Sequence, residues 1–100
     1  MVDNGSVTVL SDSEIDARLG DLGHWSRADD VIETTYELAS FPDAVAFVTR
    51  VAFLAEAANH HPDLDIRWRR VRVALTTHDQ GGITEKDLEL ARQIEGLGVR

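Results

Sequence analysis

Three features of the chain predict an α+β fold of order α-β-β-α-β-β-α, a four-stranded antiparallel sheet with three helices packed on one face. Two stretches alternate apolar and polar residues around short turns. Three others repeat apolar residues at steps of three and four. Each of these three opens on a residue suited to cap a helix.

Residues 1–9 are polar and glycine-containing and read as a flexible leader, which leaves residues 10–100 as a single domain. Ser11 and Glu14 have capping-box spacing, and Leu10 and Ile15 sit where a hydrophobic staple needs them. A short helix follows with Ile15, Leu19 and Leu22 as its apolar stripe, closed by Gly20 and Gly23. From His24 to Leu38 the period falls to two. A hairpin turning at Asp29-Asp30 puts Ile32, Thr34, Tyr36 and Leu38 on one face, and Val31, Glu33, Thr35 and Glu37 on the other.

Ser40 caps the longest helix, and Pro42 is tolerated in its first turn because the N–H it lacks has no partner there. Ala44, Phe47, Val48, Val51, Leu54, Ala55 and Ala58 form its stripe to about His60, and Pro62 ends it by His61. In the second hairpin Leu64, Ile66 and Trp68 alternate, then Val71, Val73, Leu75 and Thr77 alternate in the opposite phase. The flip predicts a two-residue loop at Arg69-Arg70 with Trp68 in the core. A loop covers His78 to Gly82. The last helix is capped by Thr84 with Asp87 at N3, stapled by Ile83 and Leu88, and buries Leu88, Ala91, Ile94 and Leu97.

A chain of 100 residues with 43% hydrophobic and 28% charged residues has the composition of one globular domain. Its net charge of −8 disfavours nucleic-acid backbones and anionic lipid as partners. The absence of cysteine excludes disulfides, thiolate nucleophiles and cysteine metal sites. Apolar runs are too short to span a bilayer, and the first residues have neither the basic region nor the apolar block of a signal peptide. The expected location is cytoplasmic.

The candidate chemistry lies in the second half. With the loop at Arg69-Arg70, Trp68 opposes Val71, Ile66 opposes Val73 and Leu64 opposes Leu75. The same register carried outward sets His61 opposite His78. His60 is adjacent, and Glu56 stands at i,i+4 to it on the helix. Imidazole both gives and accepts a proton near neutral pH. With no cysteine in the chain and no serine nearby, general acid/base work on a small molecule fits better than acyl transfer. Bland readings stand beside this. His60 and His61 suit a helix C-terminus on dipole grounds alone, Asp87 suits a capping box, and Glu56 suits a solvated helix face. Arg67, Arg69, Arg70 and Arg72 suit a solvated strand edge or a subunit contact better than an anion patch. Gly81-Gly82 lacks the setting of a phosphate loop. A metal site of His60, His61, His78 and Glu56 is a third alternative, hampered because adjacent extended residues point opposite ways.

Glu56-x3-His60-His61-Pro62-x5-Trp68-x9-His78-x8-Asp87 resembles the signature of the pterin-4a-carbinolamine dehydratases. FPDAVAFVTRVAFLAEAANHHPD and RVALTTHDQGGITEKDLELA are similar to that family's central helix, final strand and last helix, and the likeness extends over about residues 24–95. Leu64 departs from members that carry tryptophan after His-His-Pro. The resemblance implies dehydration of 4a-hydroxytetrahydropterin to quinonoid dihydropterin in tetrahydrobiopterin recycling, with no metal and no cofactor. It implies His60, His61 and His78 as acid/base and pterin-binding residues. It also implies Glu56 and Asp87 as supporting carboxylates, and Asn59 to His61 and Thr76 to Asp79 as substrate-contacting segments. Within the set, His60 and His78 are favoured as the proton-transfer pair, with His61 holding the pterin. The family further implies a homodimer or homotetramer, consistent with the edge strands of a four-stranded sheet. The competing reading is a non-enzymatic interaction or assembly factor that keeps the fold.

Overall fold

A computed structural model describes residues 8–99, so most of the expected leader lies outside the described residues. The elements run α1 (Asp12–Leu22), β1 (Ser26–Ala28), β2 (Val31–Glu37), α2 (Phe41–Ala58), β3 (Asp63–Arg67), β4 (Arg70–Leu75) and α3 (Glu85–Glu95), with a 3-10 turn at His78–Gln80. The strands form one antiparallel sheet in the order β1-β2-β4-β3. The α-β-β-α-β-β-α order is the one the sequence predicts.

The alternation in β2 and β4 decides which face of the sheet is covered. Ile32, Thr34 and Tyr36 of β2 and Val71, Val73 and Leu75 of β4 are buried, whereas Thr35, Glu37, Arg70 and Arg72 are exposed. Onto the buried face α2 lays Ala44, Phe47, Val51 and Ala55, and α3 adds Leu88, Leu90, Ala91 and Ile94. Ile15 and Leu19 of α1 complete the core beside α3. The Tyr36 and Phe47 rings meet with centroids 4.8 Å apart at 51°, a tilted contact between sheet and helix. All three helix starts are capped as expected. Ser11 and Glu14 form a full capping box, Ser40 accepts from the Asp43 N–H, and Thr84 and Asp87 form the second box. Among the described residues no helix is long and apolar enough to cross a membrane.

The second hairpin turns one position early, which shifts the cross-strand register by two. Its loop is Trp68-Arg69, so Arg67 opposes Arg70, Ile66 opposes Val71 and Leu64 opposes Val73. A shift of two leaves every side chain on its own face, so the apolar pattern cannot distinguish the two registers. Trp68 takes a left-handed φ of 56° at the first loop position and is 68% exposed rather than in the core. The Arg69 guanidinium lies 4.8 Å over its ring, and the Arg69 carbonyl accepts from the Leu38 N–H. These contacts fasten the loop to the end of β2. The arginines of this hairpin are matched by acids: Arg67 with Asp65, Arg69 and Arg70 with Glu37, and Arg72 with Glu33. They form no free anion patch.

Candidate active site

α2 stops at Ala58 because Asn59 turns left-handed, with φ 50° and ψ 44°. Asparagine tolerates this conformation better than most residues. The Asn59 and His60 N–H groups then bond back to the carbonyls of Glu56 and Ala55. The reversal sends the two adjacent histidines in different directions. The His60 side chain turns inward and is 10% exposed, whereas His61 turns outward and is 61% exposed.

His60 meets Asp87 of α3, with Nε2 to Oδ1 at 2.5 Å. Asp87 is fully buried and its two oxygens have separate tasks. Oδ2 accepts from the Thr84 N–H at 2.9 Å, closing the capping box, and from the Thr77 hydroxyl at 2.8 Å. Oδ1 accepts from His60. The Thr77 hydroxyl has one proton and gives it to Asp87, so the 2.8 Å contact between Thr77 and Thr84 is donated by Thr84. One buried carboxylate therefore collects donors from the end of β4, the start of α3 and the end of α2, which satisfies its charge. The helix cap and the contact with His60 thus belong to different oxygens of Asp87.

Glu56 bonds His61, not the expected His60, with Oε1 to Nε2 at 3.0 Å and both groups exposed. The left-handed turn at Asn59 displaces His60 from helical i,i+4 geometry, and Glu56 reaches the outward histidine instead. His61 and His78 are not a cross-strand pair either. β3 starts only at Asp63, β4 ends at Leu75, and Thr77 bridges to Gly82 across the following turn. His78 stands on that turn, exposed. Gly81 supplies the turn's left-handed φ of 75°. A Cβ on Gly82 would come within 2.9 Å of the Val9 side chain, which accounts for the glycine pair without any phosphate.

These segments enclose a cleft of about 320 Å³ lined by Asn59, His60, His61, Thr76, Thr77, His78, Asp79 and Lys86. The three histidines and both segments expected to touch substrate thus reach one cavity. Glu56 and Asp87 stand outside the lining, each bonded to a histidine that is part of it. Thr76 is fixed by its hydroxyl to the Asp30 carbonyl at 2.5 Å, which ties this wall to the first hairpin. Among the described residues no three or more His, Cys, Asp or Glu side chains group in a way that could hold a metal ion. Lys86 is the lining residue that reading the sequence overlooked. Its place in the first turn of α3, one residue before Asp87, was the available signal.

With an acceptor-only carboxylate beside it, Nε2 of His60 is the donor, so the neutral ring would carry its lone pair on Nδ1. The cleft therefore has one oriented, nearly buried imidazole and two exposed ones, with hydroxyl and carboxylate groups around them. A planar heterocycle that must give up one proton and accept another suits this arrangement.

Comparison with known proteins identifies the family. The family described as pterin 4 alpha carbinolamine dehydratase matches residues 8–97. A relative from Roseiflexus sp. (strain RS-1), assigned as a pterin-4-alpha-carbinolamine dehydratase, is 62% identical over 90 residues, covering 90% of this chain and 97% of its own. One from Mycobacterium sp. (strain JLS), assigned in the same way, is 52% identical over 91% of this chain and 97% of its own. The crystal structure of a transcriptional coactivator/pterin dehydratase from Brucella melitensis superposes with a TM-score of 0.86 at 30% identity, over 90% of this chain and 98% of that one. A pterin dehydratase-like RuBisCO assembly factor of the alpha-carboxysome shares the fold at a TM-score of 0.59 and 19% identity, over 73% of this chain and 84% of its own. By sequence and by fold, this chain belongs to the pterin-4a-carbinolamine dehydratase family.

Proposed function

We propose that the cleft dehydrates 4a-hydroxytetrahydropterin to quinonoid dihydropterin, as part of tetrahydropterin recycling in the cytoplasm. The observation that carries this reading is the His60–Asp87 contact at 2.5 Å in a cleft that also receives His78 from the turn after β4. In the reaction the N5 lone pair forms the C4a=N5 bond as the C4a–O bond breaks. A general acid protonates the departing hydroxyl, which leaves as water, and a general base takes the N5 proton. Protons balance within the site, so no redox cofactor or metal is called for. His60 and His78 are the proton-transfer pair. Asp87 acts through His60 by fixing its tautomer and ring, and by stabilising the imidazolium when His60 holds the extra proton. His61, steered by Glu56, holds the pterin. Asn59, Thr76 and Asp79 contact it from the two sides, with Asp79 accepting from the exocyclic amine. Residues 10–100 act as one catalytic domain within a homodimer or homotetramer, without nucleic acid as a partner.

The test follows the decay of the 4a-hydroxy adduct's ultraviolet absorbance with added protein. The wild-type chain accelerates it. His60→Ala and His78→Ala each lose on the order of a hundredfold or more, as expected for removal of a general acid or base. Full activity in both variants would remove the assigned roles.

The second reading, a protein-interaction or assembly factor, is favoured by the double description of the Brucella melitensis protein as coactivator and dehydratase. It predicts a folded chain that leaves the adduct's decay unchanged and does not bind 7,8-dihydrobiopterin.

A further inference from the structure

Lys86 is the single lysine among the ten basic residues of the chain. Seven arginines each hold a carboxylate, whereas the Lys86 ammonium has no ion pair or side-chain hydrogen bond among the described residues. Of the acids around it, all but Asp79, which lines the same cleft, are committed elsewhere. Glu85 is held by Arg18 at 2.6 Å, Glu89 by Arg92 and Gln93, and Asp87 is buried behind His60. No carboxylate of the described residues therefore pairs with the ammonium directly. Lys86 lines the histidine cleft and, together with His60, also lines a second groove of about 370 Å³ beside Ala58, Leu90 and the arginine-paired Glu85 and Glu89. It marks the edge where a substituent leaving the cleft crosses from one space into the other.

A neutral ring system gives an unpaired ammonium little to do, and a surface of net charge −8 otherwise repels anions. Resting on the dehydratase reading of the cleft, we propose that Lys86 is a specificity-determining residue that selects a pterin whose C6 side chain ends in an anion, a carboxylate or a phosphate. The first turn of α3, where Lys86 sits, adds the positive end of the helix dipole to the same edge.

The test measures dissociation constants for two matched pairs of probes. One pair is 7,8-dihydroneopterin against its 3′-monophosphate, and the other is 6-hydroxymethylpterin against pterin-6-carboxylate. In at least one pair the anionic member binds about three- to tenfold tighter, the range expected for one partly exposed charge contact. Which pair shows the preference identifies phosphate or carboxylate as the group read. The preference shrinks as salt is raised and falls to about one in Lys86→Gln. Glutamine keeps the helix propensity at this exposed position, so the variant folds. Equal affinities within both pairs for the wild-type chain, or a preference that survives Lys86→Gln, would overturn the proposal. Failure of every probe to bind at all would instead overturn the dehydratase reading on which it rests.

Discussion

His60 and Asp87 stand 27 positions apart in the chain, yet the imidazole Nε2 lies 2.5 Å from the carboxylate Oδ1, and the other oxygen of the same carboxylate caps α3. The contact joins the end of one helix to the start of another through a group with no exposure to water. Structural and proposed catalytic tasks therefore meet at one side chain, and substitutions there should separate them.

Asp87→Asn keeps the size of the side chain but replaces one acceptor oxygen with a donor. Either the cap or the His60 tautomer is then served wrongly. We expect a fall in kcat of about ten- to a hundredfold, as for loss of a group that orients a functional histidine. Asp87→Ala should also cost about 2–4 kcal/mol of stability by stranding buried donors. Denaturant titration beside the dehydration assay checks both. The double variant with His60→Ala should lose little more activity than His60→Ala alone if the two act as a unit.

The left-handed residue that closes α2 should tolerate glycine and resist branching. Asn59→Gly is expected to change stability by less than about 0.5 kcal/mol, and Asn59→Val to cost about 1–2 kcal/mol. Thermal or urea unfolding of the pair checks this. Equal stabilities would mean that the helix ends without this turn.

The two tryptophans are predicted to behave oppositely. Trp25 is 4% exposed and Trp68 is 68% exposed. Trp25→Ala should cost about 3–5 kcal/mol. Trp68→Ala should cost about 1 kcal/mol or less, since it forfeits only the stacking of Arg69. Acrylamide should quench a red-shifted fluorescence component that disappears in Trp68→Phe.

Acid should weaken the fold through glutamates that are held ionised. Arg92, then Gln93, lowers Glu89 from the usual 4.5 to about 2. The Ser11 backbone N–H, then its hydroxyl, lowers Glu14, and Arg18 lowers Glu85. Each binds its proton less readily folded than unfolded, so its contribution is fully present above the unfolded value and is lost as pH falls through the folded one. For Glu89 that window runs from about 4.5 down to about 2. Glu89→Gln should flatten the decline of stability across this window, and salt should reduce the difference because the pair is exposed. Unfolding midpoints at a series of acid pH values measure it, and an unchanged slope in the variant would refute the assignment.

Much of the architecture was legible because it depends on short-range chemistry. Ser11, Ser40 and Thr84 cap helices through groups two or three residues away, and the alternation in Ile32-Thr34-Tyr36 names its buried face directly. The expected site segments also converge on one cleft. The misreadings have two origins. The loop at Trp68-Arg69 lies one position from the expected one and moves the pairing register by two, and a period-two pattern is blind to that register shift. The exchange of partners between His60 and His61 turns on the backbone angles of one residue, Asn59, which no apolar pattern encodes.

By itself, then, the sequence determined the order of helices and strands, the covered face of the sheet and the residue types available for proton transfer, since these follow from neighbours within a few positions. Only the tertiary structure decided which histidine meets the buried carboxylate, that this carboxylate is shared with a helix cap, and that the lone lysine reaches the cleft. Those contacts join the end of α2, the turn after β4 and the start of α3. Their geometry is set by how the two helices lie on the sheet, a property of the packed core rather than of any local run of residues.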